Sequence, residues 1–164
     1  MSINRDLAHL LVLPEDQANA SIVNGFLLHP QLRAKSIQVL PNAGGWKKVV
    51  EKFKKTHISK MQQNPLTQMV LLIDFDNRDD RLEHINNQIP DDLKDRVFIL
   101  GVFNEPEKLK GCLRKNFEAI GEELAANCAS NTDELWRHDL LRHNQDELKR
   151  MTTSVKPFLF IQNN

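Results

Sequence analysis

Hydrophobic and polar positions follow two alternating rhythms over the first hundred residues. Short, nearly unbroken apolar runs occur at residues 7–13 (LAHLLVL), 36–40 (SIQVL), 69–75 (MVLLIDF) and 96–103 (RVFILGVF). Runs of that length and make-up predict strands covered on both faces. Between them the apolar positions recur at helical spacing. Ala18, Ile22, Val23, Phe26 and Leu27 mark a helix over 17–29, stopped by Pro30. Trp46, Val49, Val50 and Phe53 mark a basic helix over 46–61, after a turn from Pro41 to Gly45, and Leu82, Ile85 and Ile89 mark a third over 79–89, ended by Pro90.

Strands that alternate with helices predict an α/β fold: a four-stranded, mainly parallel, Rossmann-like sheet with helices on both faces. From Glu107 onward the pattern is helical, with helices predicted over 117–129 and 133–151 and no strand between them. The tail 155–161 (VKPFLFI) reads as a last strand, confined to an edge by Pro157. A chain of 164 residues is long enough for one hydrophobic core and short for two. A single domain over 1–164 is expected, with its core at about 7–110 and a C-terminal helical extension at about 111–164.

Composition narrows the function classes. No stretch reaches the roughly 18 apolar residues of a membrane span, and the N-terminus lacks a secretory pattern, so a cytoplasmic protein without a membrane partner is expected. A formal net charge of zero argues against a general nucleic-acid coat. Cys112 and Cys128 have no CxxC companion and read as idle thiols. His138 and His143 are five apart, off the i, i+4 spacing of a zinc-binding helix, and read as helix surface or packing. Trp136, Leu140 and Leu141 read as core.

The stretch LLIDFDNRDD at 71–80 carries the chemistry. In a strand, residues two apart point to one side, so Asp74 and Asp76 would stand together where the strand ends. Ligands of open parallel sheets bind beyond the carboxyl ends of the strands. There the first strand delivers Glu15 and Asp16, the third Asp74 and Asp76, and the fourth Glu105 and Glu107. Crowded carboxylates repel unless a cation neutralises them, and Mg2+ (or Mn2+) held by a few carboxylates serves phosphoryl transfer. The helix after Gly44 and Gly45 bears Lys47, Lys48, Lys52, Lys54, Lys55 and Lys60. These lysines are candidates for holding a nucleic-acid backbone, and the two glycines for a phosphate-approaching loop. The plainer readings are helix capping by Asp76 or Asn77, a solvated Glu15, a helix-start role for Glu105 and Glu107, a solvated lysine face and an ordinary turn.

A lone Glu after the first strand (LLVLPED), a glycine loop after the second (LPNAGGW) and DxD after the third (LLIDFDN) resemble the Toprim domain of topoisomerases, bacterial primases, recombination proteins and OLD-family nucleases. The resemblance covers roughly residues 7–110. It implies that Glu15 binds metal or moves a proton, that Asp74 and Asp76 bind Mg2+, and, more loosely, that Glu105 and Glu107 complete a second metal position. In place of the family's usual glycines the chain has Asp16 after Glu15 and Asn77 after the DxD. The absence of tyrosine excludes a topoisomerase that attacks DNA through tyrosine, unless a partner supplies one. The absence of a GxxxxGK[ST] loop means that any ATPase would be a separate subunit. The expectation is a Mg2+-dependent nuclease or nuclease subunit acting on DNA or RNA, with oligomeric state open. Its alternatives are a non-catalytic nucleic-acid-binding or regulatory subunit and, further off, a DxD phosphatase.

Overall fold

Side chains of a strand alternate between its two faces, and the first strand, β1 (His9–Pro14), is buried along its whole length. Leu11 and Leu13 enter one hydrophobic layer and Leu10 and Val12 the other. β1 is central because both of its edges are paired, and it therefore reads as a continuous apolar run. The computed structural model describes residues 2–161. In it β2 (Ile37–Val39), β1, β3 (Thr67–Leu72) and β4 (Val97–Leu100) stand in the order β2-β1-β3-β4, all parallel. Val12 aligns with Val39 on one side and Val70 on the other. This is the α/β, Rossmann-like architecture expected.

One face is covered by α2 (Trp46–Lys52), a π-helical turn over Phe53–His57, α3 (Ile58–Gln63) and α4 (Arg81–Asn86). Val49, Phe53, Met61 and Ile85 from these elements pack on Leu11, Met69 and Ile99. The other face carries α1 (Gln17–Phe26), and beyond β4 the chain adds α5 (Pro106–Leu113), α6 (Phe117–Ser130), α7 (Gln145–Ser154) and α8 (Lys156–Leu159). Val23, Val155 and Leu159 pack there on Leu10, Val70 and Phe98, and α6 lies on α1 through Ile22, Ile120 and Leu124. Each large side chain so buried contributes about 1.5–3 kcal/mol.

Several boundaries depart from the sequence reading. The basic helix is one continuous rod to Gln63, with the π-turn in its middle. The helix expected over 79–89 is regular only over Arg81–Asn86, and a 3-10 turn, Asp91–Arg96, leads into β4. The helix expected over 133–151 is replaced by turns over 133–141 and a 3-10 turn, Arg142–Asn144, from which the Asn144 side chain reaches the sheet. That side chain accepts from Gly101 N–H at 3.2 Å and donates to Gly101 C=O at 3.0 Å. Only from Gln145 does α7 run regularly. The tail is not an edge strand. Pro157 falls in the first turn of α8, where its missing N–H costs nothing. Val155 and Leu159, one helical turn apart, are both buried, and among the described residues the tail's strand pairing is a single antiparallel bridge, Phe160 to Leu32. His143 packs edge-on to Phe75 at 4.7 Å and close to Phe103 at 5.3 Å. Burial pushes its pKa down to about 4, so it serves as neutral packing. Both cysteines are free, and burial raises Cys128 to about 11.

Candidate metal centre

β1 and β3 are neighbours, yet the chain leaves β1 for α1 on one face and leaves β3 for α4 on the other. The crevice opened by that divergence is the topological switch point of the sheet. Glu15 is still registered to it, since its N–H donates to Leu72 C=O at 2.8 Å. The Glu15 side chain then reaches across, and its Oε2 accepts the Asp74 N–H at 2.6 Å. Asp16 caps α1: its Oδ1 accepts from Asn19 N–H at 3.0 Å and from Asn19 Nδ2 at 3.0 Å. The same Nδ2 donates to Asp74 Oδ1 at 2.8 Å. Asn19 is 1% exposed and its own Oδ1 has no hydrogen-bond partner among the described residues, a buried acceptor of the kind that costs about 1–3 kcal/mol when left unmet.

One ligand oxygen from each of Glu15, Asp16 and Asp74 lies within 4.8 Å of the others. Octahedral Mg2+, bonded at about 2.1 Å, needs oxygen pairs roughly 3–4 Å apart, so small adjustments would suffice. The donor set fits in a second way. Each carboxylate has one oxygen held by a protein N–H, and the other oxygen has no partner among the described residues. The protein thus orients the three groups and leaves three hard oxygens for a cation.

Electrostatics agree with that geometry. Burial raises the pKa of Asp74 to about 7; the Asn19 hydrogen bond opposes the shift, while Glu15, Asp16 and Asp76 add to it. Burial likewise raises Glu15 against the Asp74 N–H, with the charges of Asp16 and Asp76 adding to the rise and Arg81 opposing it. Nearby negative charge is what a metal would relieve.

Asp76 departs from the expected pairing. β3 ends at Leu72, although Ile73 and Phe75 still donate to Leu100 and Val102 at 3.0 and 3.1 Å. Asp76 and Asn77 then take positive φ of 48° and 58°, so the rule that i and i+2 share a side no longer holds. Asp76 Oδ2 instead meets Arg81 Nη1 at 2.5 Å, and the same nitrogen donates to Asp74 C=O at 2.8 Å. The Arg81 guanidinium lies 4.4 Å from the centre of the Trp46 ring. Asp76 is half exposed and outside the cluster, felt there as charge. Neither Asp76 nor Asn77 caps a helix; α4 starts after Asp80, without a side-chain cap bond.

Glu105 and Glu107 lie at the exposed start of α5 and join no close ligand group among the described residues. Glu105 occupies the cap position but makes no side-chain cap bond. Gly44 and Gly45 have φ of 94° and 138°, which only glycine adopts readily. Their N–H groups donate to Glu15 C=O at 2.9 and 3.2 Å. Those donors are spent on fixing Glu15, so the loop is a brace for the acid rather than an open phosphate cradle. Lys47, Lys48, Lys52 and Lys55 are exposed along the rod that starts at this loop. Lys48 arches over Gly44, and Lys55 is paired with Glu51 at 2.6 Å.

Sequence reasoning put Asp16 at this edge without assigning it as a ligand, and it missed Asn19 and Arg81 as site residues. The Asp16-x-x-Asn19 spacing at a helix start was the available signal for Asp16 and Asn19. Nothing local marks Arg81, whose role depends on the turn at Asp76. No family model matches the chain, and neither a curated protein nor a solved structure matches it.

Proposed function

We propose that this chain is a Mg2+- or Mn2+-dependent nuclease of Toprim type, or the nuclease subunit of a larger assembly, acting on phosphodiesters of DNA or RNA. The observation that carries the reading is the convergence of the Glu15, Asp16 and Asp74 carboxylates at the switch point, one oxygen of each within 4.8 Å of the others, beside a lysine-bearing helix. A divalent cation bound there supplies Lewis acidity toward a phosphate oxygen. Asp74 and Asp16 would hold it. Glu15, with its raised pKa, would either join them or take the proton of the attacking water, while Lys47 and Lys48 would position the phosphate backbone. A separate ATPase subunit is a proposed partner of such a nuclease.

A second reading, a module that binds nucleic acid and metal without cleaving, is favoured by one observation. The Asp76 carboxylate that a second metal would need is already paired with Arg81. Incubation of plasmid and of single-stranded RNA with the protein and Mn2+ separates the two. Cleavage that falls at least a hundredfold in both Glu15→Gln and Asp74→Asn supports the nuclease, and metal-dependent retention without cleavage supports the binding module. Cleavage unaffected by both substitutions would point to another site or another protein.

The lysines give an independent expectation. Each phosphate contact contributes a slope of about −0.9 to the dependence of log affinity on log salt for duplex DNA. The double substitution Lys47→Glu, Lys48→Glu is expected to weaken binding and flatten that slope by about two contacts' worth. An unchanged slope would remove these lysines from the interface.

A further inference from the structure

The face opposite α2 to α4 is not evenly covered. α1 lies against β1 and β2, and α7 lies along β4, tied to it by Glu147 Oε2, which accepts from Ile99 N–H at 2.8 Å. Between them, under α6 and α8, is a cavity of about 370 Å³. That falls within the roughly 300–1,000 Å³ range of small-molecule sites, and it is more than twice the ~150 Å³ of an engineered apolar cavity that takes up benzene. Its floor is Val12, Val70 and Leu100, and its sides include Val23, Leu124 and Leu148. The lining continues along the strand direction, from Leu159 and Phe160 near the start of β2 to Leu141 and Asn144 beyond the end of β4. The lining is mainly hydrocarbon, aliphatic with Phe26, Trp136 and Phe160 among it, and is interrupted by the amides of Asn19, Asn127 and Asn144.

Its exposed lining residues gather on one side, at Asn131, Thr132, Asp133, Lys149 and Thr152. Lys156 also lines it, with its Nζ on Asn131 Oδ1. Two ammonium groups against one carboxylate leave that opening net positive, above walls that offer a ligand mainly hydrocarbon. We propose that the cavity binds a straight-chain fatty acid, its chain along the sheet between α1 and α7 and its carboxylate at Lys149 and Lys156. This inference does not depend on the nuclease reading, although Asn19, which lines the cavity, also orients Asp16 and Asp74 in the metal centre.

Trp136 lines the cavity and Trp46 lies on the other side of the sheet, so in a Trp46→Phe background Trp136 emission reports occupancy. The full chain is titrated with sodium decanoate and with decan-1-ol, and calorimetry gives the stoichiometry. A saturable change with one decanoate per chain is expected. The double substitution Lys149→Glu, Lys156→Glu, at solvent-accessible positions, should weaken decanoate tenfold or more and leave decanol unchanged. Thr152→Phe, at the opening, should weaken both. Absence of saturable decanoate binding, or binding untouched by both sets of substitutions, overturns the site. Equal affinity for decanoate and decanol in the unsubstituted protein removes the lysine clamp and with it the fatty-acid assignment.

Discussion

Replacing Asp74 with asparagine should abolish divalent-cation binding and, at the same time, make the metal-free protein more stable at pH 8. The two effects have one cause. The folded pKa of Asp74, about 7, lies above the ordinary value of about 3.9 for an unfolded aspartate. Between those values the native state holds a proton that the unfolded chain releases, so stability falls as pH rises through that window and is lowest above pH 7. Three units at 1.36 kcal/mol each set a ceiling of about 4 kcal/mol. Because Glu15 and Asp16 share the repulsion, a gain of about 2 kcal/mol is the expected order for Asp74→Asn at pH 8, several degrees in a domain of this size. Below about pH 4 the gain should vanish. Mg2+ should stabilise the unsubstituted protein more at pH 8 than at pH 5, because the metal competes with the Asp74 proton, and it should leave Asp74→Asn unmoved. Thermal melts at pH 4, 5 and 8 with and without Mg2+ check all of this. A destabilised Asp74→Asn at pH 8 would mean that Asp74 is a structural hydrogen-bonding group instead of a strained acid.

The second large effect lies in the strand next door. A Cβ placed on Gly101 would collide with the Ile73 carbonyl oxygen, one residue before Asp74. The clash is with backbone, which cannot swing aside, and Asn144 grips Gly101 from the other side through both its N–H and its C=O. Gly101→Ala should therefore cost about 3 kcal/mol, the upper end of ordinary overpacking, and weaken metal binding by shifting the Ile73–Asp74 peptide. The matched control is Gly111→Ala in α5, where nothing lies within 4 Å of the new methyl. It should be neutral or stabilising by up to about 1 kcal/mol. Urea unfolding of the two variants gives the comparison, and similar midpoints would show that the sheet edge can open to admit the methyl.

The layer order was legible from particular residues. Central strands buried on both faces must be apolar throughout, and LLVLP and MVLLI are. The helices between them must show one apolar stripe, and Ile22 with Val23, then Val49 with Phe53, and Ile85 with Ile89 do so. Glu15 and Asp74 were legible as partners because any acid that ends a central parallel strand emerges at the same sheet edge. Asp76 was not. Its fate depends on a left-handed turn held by Asn104 and Phe103 carbonyls and on an arginine five residues on, and hydrophobic period reports neither. The C-terminal extension was misread for a related reason: residues 133–144 fold as turns and a 3-10 turn that bring the Asn144 side chain to Gly101, and apolar spacing reports neither the turns nor that contact. The brace formed by Gly44 and Gly45 shows the same limit, since the glycines were visible and the carbonyl they would serve was not.

The most direct measurement is anomalous diffraction from crystals of this protein grown with Mn2+. A peak is expected at the exit of β1 and β3, with oxygens of Glu15, Asp16 and Asp74 each about 2–2.3 Å away. A peak bound elsewhere, or none at millimolar Mn2+ and pH 8, would contradict the claim that these three carboxylates are built to share a cation.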